Sequence, residues 1–342
     1  PIHSAYKDLQ LKSDNVLAVD VKNTFQGIAS EQDTLVKHYE HLNEKFYKKV
    51  GVNRSIDTYK RYCVALNHLK NFLQKKYKVR DMAFQSLNPT FVKAFDLYLR
   101  ADLKMTSNTI VNIMARLHLV IKSAMDNGLI KQDPFMDYKY LTEPLVAKCL
   151  SEKEFNLILK TPLPKDNMNL VRDIFIFSCM TGLAFSDLRN LTPENMKQAE
   201  DGVWWIHTAR KKTGTPCHIP LMELPLQLIK KYCGISDQGR LFPMLSCSKT
   251  NINLKKIAKY CGIERCLTFH QARHTYASLI TLSQGVPMDT VRELLGHRSW
   301  KSTRIYAHLT QEKIGADMDD LQVRIREKFI LADNCPQRPD RV

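Results

Sequence analysis

The sequence has nine cysteines, but no two of them form a C-x-x-C pair. The nearest two, Cys261 and Cys266, lack the second pair that a zinc ribbon needs. We therefore expect reduced thiols and no bound metal. The sequence also lacks a signal peptide and any apolar run near the roughly twenty residues of a membrane-spanning helix. These absences predict a cytoplasmic chain with no membrane partner.

Positive charge is in excess, because 51 lysines and arginines against 35 acidic residues give the 342-residue chain a net charge of +16. This balance favours a polyanionic partner such as nucleic acid over an acidic small molecule. Many basic proteins bind no nucleic acid, so the charge alone leaves that question open. The length exceeds that of a usual single domain, which predicts two domains, each with its own core.

Helical periodicity dominates the first part of the chain. Four amphipathic stretches with short connections predict a helical bundle over residues 31–132. Residues 133–149 contain two X-Pro steps and no sustained periodicity, which predicts a linker. The four stretches are Glu31 to Gly51, Tyr59 to Leu73, the residues after Asn88-Pro89, and Thr106 to Asn127.

A second domain is predicted over residues 150–342, with a helix in its C-terminal tail. Ser151 and Glu154 form a capping-box pattern that opens its first helix, and strand-like residues flank a turn at Gly214. Thr268 and Gln271 repeat the capping pattern, which would place the residues that follow in the first turn of a helix. Strands among helices predict a mixed α/β domain, so the whole chain should be mainly α with a small β-sheet.

Four residues of this domain have spacings that can gather them around one phosphodiester: His270, Arg273, His297 and Tyr306. An arginine fork and imidazole donors stabilise the negative charge of a phosphate, and a tyrosine hydroxyl can attack it. Taken singly, an H-x-x-R motif is often structural and most tyrosines are packed rings. His270 and His274 also have the spacing of a metal pair, but Gln271 stands where zincins carry glutamate, which disfavours zinc.

The order of these residues resembles the signature of the tyrosine recombinase (phage integrase) family. The matching motifs are His270-Gln271-Ala272-Arg273, Leu295-Gly296-His297, and Tyr306 nine residues further on. Upstream, Thr181-Gly182-Leu183 with Ser186-Asp187-Leu188 is similar to another family motif, and Lys212 lies in a hairpin like the family's lysine hairpin. The resemblance covers nearly the whole chain. It implies a helical, SAM-like core-binding domain followed by the mixed α/β catalytic domain of the family.

The resemblance also implies a role for each residue. Tyr306 would attack the scissile phosphate while Arg273 holds the non-bridging oxygens. His270 would bind the phosphate or accept the tyrosine proton, and His297 would be a second donor to the phosphate. Lys212 would protonate the leaving 5′ oxygen. The reaction needs no metal, ATP or other cofactor.

One position departs from the family pattern. Ala184 directly follows Thr181-Gly182-Leu183, where the family carries its first catalytic arginine. Arg189 lies five positions along the same predicted helix, about 140° around it, and would point elsewhere. Arg210 lies two residues before Lys212, and alternation along a strand would put both side chains on one face. We therefore predict that Arg210 replaces the missing arginine.

The resemblance implies a site-specific DNA recombinase, an integrase of a mobile genetic element that works through a 3′-phosphotyrosine. The residues around Ala184 are similar to those of integrases from Bacteroidetes conjugative and mobilisable elements, and residues 1–30 would then be the remnant of a removed arm-binding domain or its linker. The partners implied are double-stranded DNA attachment sites and three further protomers in a tetramer on synapsed DNA. Accessory DNA-bending proteins are candidate partners, and the location would be the nucleoid.

Two other functions are compatible with the same motifs. A type IB topoisomerase uses the same phosphotyrosine but reseals the same strand, and a non-catalytic DNA-binding regulator would tolerate Ala184. In each case basic side chains should contact the DNA backbone without reading its sequence. The candidates on the bundle, the linker and the hairpin are Arg54, Lys60, Arg61, Lys104, Arg116, Lys139, Lys148 and Lys211.

Overall fold

The computed structural model describes residues 34–144, 148–236, 239–306, 311–326 and 328. The segment predicted as an arm-domain remnant, residues 1–30, lies outside the described residues. The chain divides into two compact units, residues 1–144 and 145–342, each with its own apolar core. No helix of the described ranges is long and apolar enough to cross a membrane.

The N-terminal unit contains the four predicted helices. Two of them continue into a π-helical turn, at Leu73–Tyr77 and Tyr98–Asp102. The second and third begin at side-chain caps, since Ser55 accepts from Thr58 N–H and Asn88 accepts from Phe91 N–H. The helices are α1 Leu35–Tyr47, α2 Ile56–Phe72, α3 Pro89–Leu97 and α4 Ser107–Asp126.

Aromatic rings fill the centre of this unit. Phe72 lies between the rings of Phe91, Phe95 and Tyr98, with centroids 5.0–5.6 Å away. The first part of the segment predicted as a linker is folded onto the same core, because Phe135 is buried and stacks on His118 of α4 at 4.5 Å. Local sequence shows no periodicity there, and the packing depends on contacts with residues far along the chain.

The C-terminal unit combines helices with one antiparallel sheet. Its helices before the sheet are α5 Glu152–Lys160, α6 Asp166–Thr181 and α7 Phe185–Leu188. The strands are β1 Met196–Gln198, β2 Trp204–Ala209 and β3 Pro216–Pro220. The later helices are α8 Glu223–Tyr232, α9 Cys247–Tyr260, α10 His270–Thr275, α11 Met288–Leu295, α12 Trp300–Arg304 and α13 Gln311–Ile325.

The core of this unit surrounds α6, which contacts α8, α9 and α10. Phe175, Phe177 and Cys179 of α6 are fully buried. The sheet has the order β1-β2-β3, and Ile206 of β2 lies opposite Ile219 of β3 with both side chains in the core. The sequence did not predict β1, because its three residues are partly or fully exposed and carry no apolar alternation.

The helix starts mostly follow the predicted caps. Ser151 and Glu154 make both bonds of the capping box at α5, which confirms that prediction. Helix α10 begins at His270 with Phe269 as its N-cap, and the Gln271 side chain accepts from Thr268 N–H at 3.1 Å. The helix therefore starts later than the Thr268 capping pattern predicted, but His270 and Arg273 still occupy its first turn.

Candidate active site

Two glycines end the helices that border the site. Gly182 ends α6 with φ 70°, and Gly296 ends α11 with φ 61°. A Cβ atom on Gly182 would lie 2.4 Å from Cδ1 of Tyr276, and one on Gly296 would lie 2.4 Å from Sγ of Cys217. Both positions therefore need glycine for the left-handed conformation and for the close approach of neighbouring groups.

Arg273 spans these two helix ends. Its Nη1 donates to the Gly182 carbonyl at 2.7 Å, and its Nη2 donates to the Leu295 carbonyl at 2.5 Å. Carbonyls at a helix C-terminus carry partial negative charge, which offsets part of the cost of burying the guanidinium. Burial and the nearby Arg210 lower the pKa of Arg273 to about 10, so it remains cationic at neutral pH.

Arg210 enters the site from the turn between β2 and β3. Its Nη1 lies 3.1 Å from Oδ2 of Asp187, and the two side chains are 13% and 1% exposed. The N–H and the oxygen are not aligned for a hydrogen bond, so the contact is an ion pair, and this nitrogen of Arg210 has no hydrogen-bond partner among the residues that the structure describes. The charge of Arg210 reaches the site, because it adds to the lowering of the pKa of Arg273 and His297 that burial causes, and it opposes the rise that burial causes in the pKa of Tyr306.

The position of Arg210 bears on the gap at Ala184. Asp187 lies one turn after Ala184 and donates its backbone N–H to the Ala184 carbonyl at 3.0 Å. The guanidinium of Arg210 therefore contacts the same turn of chain from which the family arginine is missing. Arg189 is exposed at the end of α7. The prediction that Arg210 and Lys212 share one face of a strand is wrong, because β2 ends at Ala209 and both residues lie in the turn.

Lys212 lies exposed on that turn. The base of the turn is fixed, since Arg210 N–H donates to the Thr215 carbonyl at 2.8 Å and Gly214 N–H donates to the Arg210 carbonyl at 2.7 Å. Arg298, next to His297 in sequence, donates to the Thr213 carbonyl. A cation is thus held on an anchored loop beside the site, and its charge contributes to lowering the pKa of His270.

The histidines occupy different surroundings. His270 is exposed on the first turn of α10, and its pKa is lowered by partial desolvation and by Arg273. His297 is half-buried, with Nδ1 2.9 Å from Oγ1 of Thr303, and burial lowers its pKa to about 4. When the Thr303 hydroxyl donates to Nδ1, the neutral ring carries its proton on Nε2, which can donate to a phosphate oxygen.

Tyr306 follows α12 and is 5% exposed. Its backbone N–H donates to the Thr303 carbonyl at 3.0 Å. Its ring lies nearly parallel to that of His297, with centroids 6.3 Å apart and planes at 10°. Burial raises the pKa of the phenol, while Arg273 and Arg210 oppose that rise. The phenol is therefore protonated at neutral pH and needs a proton acceptor before it can attack.

The hydroxyl of Tyr306 lies 3.0 Å from Nδ1 of His274, a contact that sequence reasoning missed. The sequence pattern assigns His274 only to a disfavoured metal pair with His270. The ranges that the structure describes hold no group of three or more metal-ligating side chains. The available signal was position, because His274 follows Arg273 directly and therefore projects from the same helix.

The structure thus brings Arg273, Arg210, His297, His274 and Tyr306 together, with His270 and Lys212 at the rim. Of the predicted DNA contacts, Arg116 is half-buried, with its guanidinium 5.6 Å from the centre of the Tyr62 ring. It is therefore less available than predicted. The others are exposed, namely Arg54, Lys60, Arg61, Lys104, Lys139, Lys148 and Lys211.

Two family models match the chain. The phage integrase family matches residues 148–313, and the phage integrase SAM-like domain matches residues 34–140. Tyrosine recombinase XerC of Syntrophus aciditrophicus is 24% identical over 316 residues, which cover 86% of this chain and 99% of that protein. XerC of Neisseria meningitidis serogroup B is 29% identical over 213 residues, covering 59% and 69%.

Solved structures share the fold. The Tn1549 transposon integrase in complex with transposon right end DNA has a TM-score of 0.66 at 18% identity, covering 84% of this chain and 99% of that chain. A lambda integrase tetramer bound to a Holliday junction has a TM-score of 0.68 at 14% identity, covering 89% and 86%. Since the two family matches follow one another along the chain and the relatives extend across both units, this chain belongs to the phage integrase family of tyrosine recombinases.

Proposed function

We propose that this protein is the integrase of a mobile genetic element, which cuts and rejoins DNA at specific sites through a 3′-phosphotyrosine. The observation that carries the proposal is the placement of the Tyr306 phenol in a site with two buried or half-buried guanidiniums, Arg273 and Arg210. Two cations and an imidazole donor suit the charge that develops on the oxygens of a five-coordinate phosphorus.

In the first step Tyr306 Oη bonds to phosphorus, the bond from phosphorus to the 5′ oxygen breaks, and an imidazole of the site takes the phenolic proton. Lys212 supplies a proton to the 5′ oxygen. Arg273, Arg210 and His297 bind the non-bridging oxygens. Later a 5′ hydroxyl from a partner strand attacks the phosphotyrosine and restores the backbone. The ester bond is exchanged at each step, so the cycle needs no ATP.

The proposed assembly is a homotetramer on two synapsed attachment sites in the nucleoid, with accessory DNA-bending proteins as additional partners. The charge of +16 and the exposed basic residues support DNA binding by both units. The lambda integrase neighbour is a tetramer on a Holliday junction. Affinity for DNA should fall steeply with salt as Lys and Arg release counterions from the phosphates.

The test is a suicide-substrate trap with the full chain. A pool of DNA duplexes with a randomised centre and one nick is incubated with protein and then denatured, and DNA that stays attached to protein is sequenced. The short fragment beyond the nick diffuses away, which traps the phosphotyrosine. Wild type should give adducts enriched in one sequence, and Tyr306→Phe should give none. Adducts formed equally by Tyr306→Phe would overturn the proposal.

Two outcomes separate the alternatives. Supercoil relaxation by monomers without recombinant products would assign the chain to the type IB topoisomerases. DNA binding without any adduct would indicate a non-catalytic regulator, a reading that Ala184 favours because the family arginine is absent there. Recombinant products from two plasmids that carry the enriched sequence would exclude both.

A further inference from the structure

The Tyr306 hydroxyl contacts a residue for which the sequence motifs gave no catalytic role. Tyr306 Oη lies 3.0 Å from Nδ1 of His274, and the two ring centroids are 5.3 Å apart. The tyrosine is 5% exposed, so little water can reach its phenol. The proton that must leave when Oη attacks phosphorus therefore has a protein nitrogen within hydrogen-bond distance.

The other two imidazoles of the site are placed for different tasks. Nδ1 of His297 contacts Thr303, and the His297 ring lies nearly parallel to the Tyr306 ring with the two centroids 6.3 Å apart. His270 lies one turn before His274, is exposed, and meets the His274 ring edge to face at 4.5 Å. His270 is therefore exposed at the rim of the site, whereas His274 contacts the hydroxyl of Tyr306.

We propose that His274 is the catalytic base that takes the Tyr306 proton, an inference that rests on the proposed function. As Oη bonds to phosphorus, the phenolic O–H bond breaks and its proton moves to Nδ1 of His274. The phosphorus bond to the 5′ oxygen breaks, and that oxygen is protonated by Lys212. On rejoining, the incoming 5′ hydroxyl bonds to phosphorus, and the His274 imidazolium returns its proton to the departing phenolate.

The surroundings of His274 keep it ready for this task. Burial, together with the neighbouring His270 and Arg273, lowers its pKa to about 4, so the ring is neutral at neutral pH with a lone pair to accept the proton. Arrival of the phosphodiester adds a negative charge that opposes Arg273, which favours the imidazolium. Other charged and titratable groups near the site are Arg210 with its partner Asp187, Lys212 in the turn, and His297 after α11.

The test compares the cleavage rates of His274→Asn and His270→Asn on the DNA sequence that the suicide-substrate trap enriches. An asparagine amide oxygen can accept a hydrogen bond near the place of Nδ1 but cannot take a proton. We expect His274→Asn to lower the single-turnover cleavage rate by about 10² to 10⁴ at saturating DNA, without weakening DNA binding. The cleavage rate of His274→Asn should rise about tenfold for each pH unit, because hydroxide must then form the phenolate. The pH profiles of the wild type and of His270→Asn should be flatter.

Three results would overturn the inference. One is cleavage by His274→Asn within about threefold of wild type, a second is a slow variant whose pH profile matches wild type, and a third is a hydroxide-dependent profile in His270→Asn instead. His274→Gln is the second variant if His274→Asn does not fold, and it should show the same profile. Failure of the proposed function is distinct, because wild type itself would then form no Tyr306-dependent adduct.

Discussion

Arg210 and Asp187 form an almost fully enclosed ion pair, with Nη1 and Oδ2 3.1 Å apart. Asp187 also accepts the backbone N–H of Lys211 at 3.0 Å through its other oxygen. One carboxylate therefore fixes both the side chain and the main chain at the start of the hairpin turn. This pairing holds a cation against the turn of chain in which Ala184 replaces the expected arginine.

The first prediction concerns that cation. Arg210→Ala should lower cleavage of the trapped sequence by about 10² to 10³, or about 2.7–4 kcal/mol, because a donor to the transition-state oxygens is lost. Arg189→Ala is the matched control and should cleave normally, since Arg189 is exposed. The measurement is single-turnover adduct formation on a denaturing gel. Full activity in Arg210→Ala would show that Arg210 does not replace the missing arginine.

A second prediction separates proton donation from the other roles of Lys212. Lys212→Ala should cleave ordinary DNA slowly but recover when the 5′ bridging oxygen of the scissile phosphate is replaced by sulfur, because a thiolate leaves without prior protonation. Lys211→Ala is the neighbouring control, and sulfur at the 5′ bridging position should not increase its cleavage rate in the same way. Adduct formation on the two substrates gives the comparison. Equal defects of Lys212→Ala on both would mean that Lys212 is not the acid.

The third prediction tests the packing at Gly182. Gly182→Ala should lower the free energy of unfolding by about 2–5 kcal/mol, since left-handed backbone strain adds to a clash with Tyr276. Gly262→Ala has nearly the same φ, 68° against 70°, but its Cβ meets nothing within 4 Å, so it should cost only about 1–2 kcal/mol. Equal losses would contradict the packing explanation. Urea unfolding followed by tryptophan fluorescence isolates the C-terminal unit, which holds all three tryptophans.

The fourth prediction concerns the stability of the folded protein at acidic pH. His297 has a pKa of about 4 in the folded protein, below the ordinary value of 6.5, so the unfolded chain binds the proton more readily and stability falls as pH drops from 6.5 towards 4. Between pH 7.5 and 5.0 this one ring should contribute a loss of about 2 kcal/mol. His297→Asn should remove that part of the pH dependence while leaving the m value unchanged. The same slope in wild type and variant would contradict the shift.

Short-range sequence patterns predicted many of the helix ends that surround the site. Gly296 ends α11 because a left-handed residue is needed there, and the capping box at Ser151 forms as the sequence indicates. Short-range rules of this kind placed His270, Arg273 and His297 on or beside the right helix ends. The catalytic roles assigned to these residues stay predictions until cleavage is measured.

Longer-range contacts could not be predicted in the same way. Arg210 turns inward because Asp187, on a separate helix, attracts it, and no local periodicity encodes that pair. His274 meets Tyr306 across 32 residues of chain. Phe135 looked like part of a linker because its partner His118 lies on a helix that precedes it. In each case tertiary packing decided the outcome.

Thr303 connects two parts of the site through different atoms. Its hydroxyl contacts the His297 ring and its carbonyl accepts the Tyr306 N–H. In the proposed mechanism, a shift of this short segment would therefore displace the nucleophile and disturb a phosphate donor, His297, in one movement. The proposed attack on phosphorus and the proposed phosphate contact of His297 would then depend on the same short segment.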